Sequence, residues 1–530
     1  MKTTWLSAIL SLYLLTGFTN NNDTRITSYG ALADGITNNA RYIQKAIDVV
    51  AAKGGGRVIV PLGNFMTGTI FLKSGVDLHL EQGACLLGPT DRNEYTGERG
   101  GLIEAKSQKN ISITGPGIID GQAHELLLDI FKKLRSGEIN HKDSTWLVKR
   151  PGEGERTFIL SIDNCTDVHI SGITLKNSSA WVQNYTECNN LTIEGIKVQS
   201  TAYWNNDGLD VTDSKNVIIK NCFINSADDG ICLKSGNPNF YCENIFVDSC
   251  TIRSSASAFK LGTASGGGFK NIKVRNLNIF DTYRSAIAIE CVDGGDLENI
   301  DIQNILARNT GNAIFIRRGQ RNKNGKVGTL KGVYIANVKV DVPLYKPDQG
   351  YPTEGPPDHI RPGIDKMPKR PGSYHIFGHP WLPYNLVPSS IVGIPGYPVE
   401  DVTLENIEIT YGGRASKDIA YIPLDSITSI PENASQYPEF SMFGELPAWG
   451  FYVRHAKGIK FKNITVKYLE SDFRPAFVFD DVKGVEMNGV DIPTAKDMPV
   501  VLFNNTSDIV IKNIDMPVSE TQGIMKTNYK

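Results

Sequence analysis

The chain has 530 residues, a formal net charge of −2 and 21% charged residues. A charge balance so close to neutral gives no reason to expect a nucleic acid or an anionic membrane surface as a partner. The length alone would predict three or four domains, but a single repeat structure is able to use a whole chain.

The first residues predict an export signal. Met1 and Lys2 give a positive start, an almost wholly apolar run extends from Trp5 to Phe18, and a polar stretch follows. This order is typical of a secretory signal peptide, so we expect residues 1–19 to be removed and the mature protein to be periplasmic or extracellular. No later run reaches the ~20 apolar residues of a membrane span, so no membrane insertion is expected.

Eight cysteines would allow disulfides in an oxidising compartment. Two of them, Cys222 and Cys250, occupy apolar positions of the repeat described below, where cysteine is more often a small buried apolar residue. The Cys-x-x-Cys spacing typical of zinc sites is absent from the sequence, so no metal site is predicted.

An amphipathic helix followed by strands begins the mature chain. One helical face carries only apolar residues, namely Ala40, Ile43, Ala46, Ile47, Val50 and Ala51. Three glycines at 54–56 end this pattern, and strand-like alternation follows from Arg57. A single helix in this place predicts a cap over the open end of a β structure, which would otherwise leave sheet edges and apolar side chains exposed.

One short pattern then recurs: an apolar residue, two residues of which the second is usually Asn or Gly, and another apolar residue. Its eleven copies begin at Ile170, Ile193, Ile219, Val247, Val274, Ile302, Ile335, Leu404, Phe461, Met487 and Ile511. The alternation on both sides predicts short strands joined by a tight bend, for which Asn and Gly tolerate the left-handed conformation. Stacked Asn side chains would bond along the ladder. Repeats of roughly 25 residues predict an all-β parallel β-helix rather than a β-propeller, whose repeats are longer.

Three stretches interrupt the repeats. Residues 341–398 hold 13 of the 26 prolines together with many aromatic residues, a composition that forbids ladder pairing but is too apolar for a disordered linker. Residues 411–450 and 118–157 are the other two, and the latter contains a helix-like piece from Leu126 to Leu134. We expect all three to be ordered insertions in one domain, residues 20–530, and to form the walls of a binding cleft.

Three acids precede neighbouring strands of the predicted coil. Asp207 leads into one strand, and Asp228 and Asp229 lead into another that begins 22 residues further on. Because neighbouring parallel strands lie about 4.8 Å apart, we expect the three carboxylates to share one wall. A single Asp before Gly is a common turn residue, but three on adjacent coils favour an acid cluster in which repulsion raises at least one pKa.

Further charged residues lie on or just past the same strands: Lys234, Lys260, Glu290, Arg317 and Arg318. Acids with flanking cations suit the hydrolysis of a polyanionic sugar, because one acid protonates the departing oxygen while another carboxylate activates water or attacks the sugar. For Lys260 and Arg317 a solvated position at the rim is an equal alternative.

The residues around the acids resemble the motifs of glycoside hydrolase family 28, the polygalacturonase and rhamnogalacturonan hydrolase family. The family's Asn-Thr-Asp-Gly motif is similar to Asn205 to Gly208, and its Asp-Asp motif with a following Ser-Gly is similar to Asp228 to Gly236. The opening region and the coil series are similar too, so the resemblance covers nearly all of the mature chain. It implies a single-stranded, right-handed, pectin-lyase-like β-helix and an inverting hydrolase without metal or organic cofactor. Asp228 would be the general acid, and Asp207 and Asp229 would hold the attacking water.

Two departures from the family pattern bear on the substrate. The Gly-His-Gly motif has no histidine here, and its nearest match is Ser257. The Arg-Ile-Lys motif that grips uronate carboxylates corresponds to residues 288–290, so that Glu290 would repel a carboxylate. We therefore expect the neighbouring subsite to hold a neutral sugar such as rhamnose, or to be rebuilt around Arg317 and Lys260. The predicted substrate-binding residues are Asn205, Ser257, Lys260, Glu290 and Arg317.

The resulting hypothesis is a monomeric enzyme whose partner is a pectic oligo- or polysaccharide. It would hydrolyse galacturonosyl linkages, act from a chain end because long loops close one side of the groove, and prefer a branched pectin such as rhamnogalacturonan. Two alternatives stay open. A β-helix pectate lyase would need calcium-binding acids and an arginine as base, and a carbohydrate-binding β-helix would need no catalysis.

Overall fold

A computed structural model describes residues 23–98, 100–138, 153–345, 347, 385–416, 422–493, 499–515 and 524–527. The predicted signal peptide, residues 1–19, and most of the predicted insertion 341–398 lie outside the described residues. Within the described ranges the chain forms two α-helices and many short β-strands, all strand pairs between named strands being parallel. None of the helices in these ranges is long and apolar enough to cross a membrane.

The first helix closes one end of the coil. Helix α1 (Ala40–Ala52) buries Ile43, Ala46, Ile47 and Val50, which join the apolar interior of the coil. The Gly55 amide donates to the Val50 carbonyl (3.0 Å) and the glycines at 54–56 all have positive φ, which ends the helix. The predicted capping helix is therefore confirmed.

The strands follow one another as successive sides of a coil. The first coils contain β1 (Thr24–Arg25), β2 (Gly56–Val60), β3 (Gly63–Met66), β4 (Ile70–Phe71), β5 (Val76–Leu80), β6 (Ala84–Leu87), β7 (Gly101–Lys106), β8 (Lys109–Thr114), β9 (Ile118–Asp120) and, after helix α2 (Ala123–Ser136), β10 (Phe158–Asp163), β11 (Thr166–Ser171) and β12 (Thr174–Lys176). The middle coils contain β13 (Gln183–Thr186), β14 (Asn189–Glu194), β15 (Lys197–Ser200), β16 (Leu209–Thr212), β17 (Lys215–Lys220), β18 (Phe223–Ser226), β19 (Ile231–Ser235), β20 (Cys242–Asp248), β21 (Thr251–Ser254) and β22 (Phe259–Ser265). In the last coils strand pairing continues through the bends, which gives β23 (Gly268–Cys291), β24 (Asp296–Arg318), β25 (Leu330–Val342), β26 (Ser389–Val392), β27 (Val399–Gly413), β28 (Phe451–Glu470), β29 (Phe477–Asp491), β30 (Val501–Asn504), β31 (Ser507–Asp515) and β32 (Ile524–Thr527).

Each side of the coil forms one parallel sheet. In the middle coils a strand pairs with the strand three further along the chain, as β13 does with β16, β16 with β19 and β19 with β22. We call the sheet that contains these four strands the site sheet. Its inward side chains belong to a continuous core of Ile, Leu, Val and Phe residues that runs from Ile26 to Phe503. The predicted parallel β-helix is confirmed.

The predicted bends adopt the predicted conformation. In all eleven copies of the repeat the residue before the second apolar position has a φ between 51° and 74°, the left-handed region that Asn and Gly tolerate best. Asn side chains also bond from coil to coil, since the Asn304 amide donates to Asn276 (3.1 Å) and the Asn337 amide donates to Asn304 (3.1 Å). These ladders fix where each coil turns.

Described residues at the ends of the predicted insertions form strands of the coil. Residues 118–120 already form strand β9, and the helix-like piece is helix α2. Strands β25 and β26 include the ends of the predicted insertion 341–398, and β27 extends to Gly413. Of the insertion predicted at 411–450, the described residues outside β27 are 414–416 and 422–450.

The described residues 422–450, which we call the covering segment, lie on the outer face of the site sheet. Phe440 and Phe443 of this segment pack with Phe315, Tyr452 and Val478, which point outward from successive site-sheet strands. The outer face of the sheet is consequently buried here.

All eight cysteines lie in described residues and none forms a disulfide. Seven are buried, including Cys222 and Cys250 in the apolar core. They act as small apolar residues.

Candidate active site

The acids lie at equivalent turns of successive coils. Leu209 of β16 is in register with Ile231 of β19, so Asp207 and Asp229, each two residues before these strands, are neighbours. The Gly208 amide donates to the Asp229 carbonyl (2.8 Å), which ties one turn to the next. The structure therefore brings Asp207, Asp228 and Asp229 together on one edge of the site sheet.

The glycine after each acid is required by close packing between coils. A Cβ on Gly208 would lie 2.4 Å from Ile224 Cγ2, and a Cβ on Gly230 would lie 2.5 Å from Ile252 Cγ2. Neither glycine has a positive φ. The Asp-Gly pairs thus serve to let one acid turn approach the next rather than to form a left-handed turn.

Two lysines, the buried Lys260 and the partly buried Lys234, each bridge two acids. Lys234 Nζ lies 3.0 Å from Asp207 Oδ2 and also contacts Asp210 Oδ1, while Lys260 Nζ lies 3.0 Å from Asp229 Oδ2 and 3.6 Å from Glu290 Oε2. Both lysines therefore neutralise the cluster from within and are not solvated rim charges. This corrects the rim alternative for Lys260, which is 1% exposed.

The surroundings move the pKa values of two adjacent acids in opposite directions. Burial, and then the neighbouring charge of Asp229, raise the pKa of Asp228 above its ordinary value. Burial also acts to raise the pKa of Asp229, but Lys260, Arg284 and Lys234 outweigh it and lower that pKa. Such a divided pair is what acid–base catalysis needs, one carboxyl holding a proton while its neighbour stays ionised.

Two further acids of the cluster are held toward protonation. Burial raises the pKa of Asp207 well above its ordinary value against the attraction of Lys234, and it raises the pKa of Asp210 to about 6. Asp210 lies on β16 with its side chain fully buried. Asp210 is not among the site residues predicted from the sequence, although its outward position in the strand alternation signals it.

Hydrogen bonds fix the two acids that precede β19 in place. The Asp229 amide donates to Asp228 Oδ1 (2.9 Å), and the Ser257 amide donates to Asp229 Oδ1 (3.0 Å). The hydroxyl groups of Ser254 and Ser226 donate to the Asp228 carbonyl at 2.6 and 2.8 Å. Asp228 itself is only partly buried, whereas Asp229 is buried.

Asn205, predicted to bind substrate, is partly buried with a φ of 53°. Its Oδ1 accepts a hydrogen bond from Arg156 Nη2 (2.7 Å). The fully buried Asn206, which the sequence analysis did not select, donates to the carbonyl groups of Ser178 and Ala180 and accepts from Ser200 Oγ (2.7 Å). Asn206 is therefore the residue that holds the Asp207 turn to the preceding coil.

Three of the remaining predicted binding residues lie in the acid cluster. Ser257 is buried beside Asp229, to which its backbone amide donates. Glu290 is buried as well; it accepts from Thr263 Oγ1 (2.9 Å), and burial raises its pKa to about 7. Ser257, Lys260 and Glu290 all belong to the acid cluster.

Arg317 requires a correction. Its guanidinium is 1% exposed and donates to the carbonyl groups of Gly393 and Glu432, both at 2.7 Å. Its Cζ also lies 5.2 Å from the centre of the Phe443 ring. Arg317 thus anchors the covering segment to the coil and offers no charge to a substrate.

The covering segment adds two residues to the site that the sequence analysis missed. Glu439 lies 3.2 Å from Arg284, the arginine that acts on both Asp228 and Asp229, and the Tyr437 hydroxyl lies 3.3 Å from Lys260 Nζ. No sequence signal identifies them, because they are separated by more than 150 positions from the residues they contact.

One group of atoms has the composition of a metal site. A carboxylate oxygen of Asp207, one of Asp229 and Cys232 Sγ lie within 4.8 Å of one another. However, Lys234 Nζ lies 3.3 Å from the sulfur, the thiol donates to the Gly262 carbonyl (3.0 Å), and burial raises the pKa of Cys232 well above its ordinary value. A cation would meet two ammonium groups and a protonated thiol, so these residues suit lysines rather than a metal.

Comparisons with known proteins identify the same family that the sequence motifs resemble. The profile of the glycosyl hydrolases family 28 matches residues 53–342. Similar relatives are a probable polygalacturonase of Arabidopsis thaliana, 25% identical over 366 residues (63% of this chain, 73% of the relative), and an exo-poly-alpha-D-galacturonosidase of Dickeya chrysanthemi, 26% identical over 357 residues (57% of this chain, 58% of the relative). The chain thus spans less than two thirds of the length of the Dickeya relative.

Among solved structures, the exopolygalacturonase of Thermotoga maritima is similar in fold, with a TM-score of 0.58, 20% identity and coverage of 84% of this chain and 91% of that chain. The family 28 exopolygalacturonase of Yersinia enterocolitica has a TM-score of 0.52, 16% identity and coverage of 96% and 77%. At these identities the likeness concerns the fold, a right-handed parallel β-helix.

Proposed function

The chain belongs to the glycosyl hydrolases family 28 and is a glycosidase, and from that premise we propose that it hydrolyses pectic polysaccharide with inversion at the anomeric carbon. One observation carries the mechanism: Asp228 and Asp229 are adjacent, share a hydrogen bond, and have pKa values displaced in opposite directions.

In the proposed step the Asp228 carboxyl donates its proton to the glycosidic oxygen as the bond from that oxygen to the anomeric carbon breaks. A water molecule held by Asp229 and Asp207 attacks the same carbon from the opposite face and gives a proton to Asp229. Lys260 keeps Asp229 ionised until then. Each turnover thus consumes one water and returns the two carboxyls to their starting states after proton exchange with solvent.

A branched pectin such as rhamnogalacturonan is the proposed substrate. The cluster holds the five carboxyls of Asp207, Asp210, Asp228, Asp229 and Glu290. Its two lysines are already paired with these acids, and Arg284 is paired with Glu439. Within the described residues each cation of the cluster already has an acidic partner, which supports a neutral sugar such as rhamnose rather than a uronate beside the scissile bond.

Exo action is supported by the covering segment. It buries the outer face of the site sheet on the C-terminal side of the acids, where a long polymer would otherwise continue along the groove. Relatives with exo-acting names, including the Dickeya enzyme, point the same way. A substrate chain would end against this segment.

Export is part of the proposal as well. The positive start and apolar run of residues 1–18 support a secreted, periplasmic or extracellular enzyme that meets pectin outside the cytoplasm. Mass spectrometry of the mature N-terminus would test it, and a retained residue 1 in the secreted fraction would contradict cleavage.

Product chromatography on a panel of pectin fragments tests the function. We expect saturated mono- or disaccharides from the ends of rhamnogalacturonan fragments and little release from homogalacturonan. Asp228→Asn removes the acid and should lower kcat by at least about 10²-fold, whereas Asp248→Asn, on a strand outside the site sheet, should not. Unsaturated, ultraviolet-absorbing products would identify a lyase, and unchanged sugar with retained affinity would identify a binding protein.

A further inference from the structure

The covering segment places one aromatic side chain against the acid cluster. The Tyr437 hydroxyl lies 3.3 Å from Lys260 Nζ, the ammonium group that pairs with Asp229, and the ring centre lies 5.4 Å from that nitrogen. Arg321 Cζ lies 5.7 Å from the same ring centre. The coil thus holds Tyr437 by its hydroxyl and by two cations.

Tyr437 is nevertheless 44% exposed, unlike the apolar residues that attach the covering segment to the coil. Phe440, Met442 and Phe443 are buried against the outer face of the site sheet. Packing of the segment therefore does not need the Tyr437 ring. An aromatic ring that is fixed in position and open to solvent beside two carboxyls is available to a ligand.

A second ring occupies the corresponding place on the N-terminal side of the cluster. Trp181 is partly buried and stacks on Phe158 with ring centres 5.8 Å apart and planes 11° apart. Lys234 Nζ, which pairs with Asp207, lies 4.4 Å from the centre of the Trp181 ring. Each acid–lysine pair therefore has one aromatic ring beside it, and the acids lie between the two rings.

We propose that Tyr437 is the sugar-stacking residue on the C-terminal side of the acids and selects a neutral or deoxy pyranose there. The apolar C–H face of such a ring packs on an aromatic face, whereas a uronate carboxylate would meet the negative face of the tyrosine and the nearby Glu290. This inference rests on the proposed hydrolase function and names the residue that sets its selectivity.

Three variants of the full-length enzyme test the inference. Tyr437→Ala should lower kcat/KM on rhamnogalacturonan fragments about tenfold, mainly through KM, because ground-state and transition-state binding lose the same contact. Tyr437→Phe keeps the ring, so its KM should stay within about twofold of wild type. Tyr397→Ala is the matched control: Tyr397 is 45% exposed and lies 5.6 Å from Arg318, but it is outside the cluster. It should leave both constants unchanged.

A binding measurement separates stacking from an indirect effect on the acids. In the Asp228→Asn background, calorimetry with the neutral reaction product should show binding that Tyr437→Ala weakens about tenfold and Tyr437→Phe does not. Equal KM values for Tyr437→Ala and wild type on every cleaved substrate would overturn the inference. So would a loss confined to kcat, because it would assign the effect to Lys260.

These outcomes are distinct from failure of the proposed function. If homogalacturonan is cleaved as fast as branched pectin, the proposed substrate is wrong, yet the effect of Tyr437→Ala on KM is still measured on the polymer that is cleaved. If Asp228→Asn retains full activity, the assignment of the acid is wrong whatever Tyr437 does.

Discussion

Replacing Lys260 with methionine is expected to shift the acid limb of the pH–activity profile to higher pH. Lys260 Nζ lies 3.0 Å from Asp229 Oδ2, and the pKa of Asp229 is lowered because Lys260 and other cations outweigh its burial. Methionine keeps the length and apolar stem of the side chain but removes the charge. Asp229 would then take up a proton at a pH where the wild-type carboxylate is ionised.

The size of the shift follows from the distance. Two unit charges 3.0 Å apart interact by about 5.5 kcal/mol at an effective dielectric constant of about 20, which corresponds to about 4 pKa units. Arg284 and Lys234 remain in Lys260→Met and still favour the ionised Asp229. The acid limb should therefore move to higher pH by clearly less than this full interaction would give.

Initial rates from about pH 3 to about pH 8 measure the shift, because the acid limb of kcat/KM reports the pKa of the ionised base. Lys270→Met is the matched control, since Lys270 forms an ion pair with Glu298 (3.3 Å) away from the site. Its profile should coincide with that of wild type. Circular dichroism of each variant at each pH confirms that folded protein is being assayed.

An unmoved acid limb in a folded Lys260→Met enzyme would refute the argument that Asp229 is the base kept ionised by Lys260. Stability gives a second readout. The variant leaves Asp229 and Glu290 without their shared cation, so its thermal midpoint should fall below that of wild type at neutral pH and approach it as the acids are protonated.

The remaining predictions concern the scaffold of the site. Asn206→Ala removes a buried amide that donates to two backbone carbonyl groups, so the free energy of unfolding should fall by about 2–4 kcal/mol. The value of kcat should fall as well, because the turn that carries Asp207 loses its tie to the preceding coil. Denaturant melts and initial rates measure the two effects. His455 lies on β28 and contacts Glu432 of the covering segment. Burial acts to lower the pKa of His455, but its hydrogen bonds to Glu432 and Asp481 raise that pKa above 6.5. Stability from this contact is complete below about pH 6.5 and is lost as pH rises through the raised pKa, on the order of 1 kcal/mol. His455→Gln should abolish that pH dependence of the thermal midpoint, and an unchanged dependence would exclude His455 as its source.

The coil and the acid cluster were predictable because both depend on local rules that repeat. Each of the eleven repeat bends has one residue in the left-handed conformation, and this residue is Asn or Gly in ten of them. Asp207 and Asp229 occupy the same position of successive coils, so the period alone places them together. The sequence therefore predicts which residues are neighbours wherever the repeats have a regular length.

The roles of Lys260 and Arg317 could not be predicted, for a different physical reason. Strand alternation correctly indicates that both point away from the core, but an outward side chain meets solvent only where nothing covers the sheet. Here residues more than 100 positions later lie over that face, and Arg317 bonds their backbone. The path of a long loop depends on tertiary packing, which the periodicity of the sequence does not encode.

The distance along the chain between Lys260 and Tyr437, 177 positions, has a consequence for how the enzyme is made. Synthesis proceeds from the N-terminus, and coils are able to form as they emerge. The acids are thus in place while the wall beside them is still unmade. A chain truncated before residue 422 would lack Tyr437 and Glu439, so the wall beside Lys260 and Arg284 is completed only by the last part of the polypeptide, after the catalytic turns.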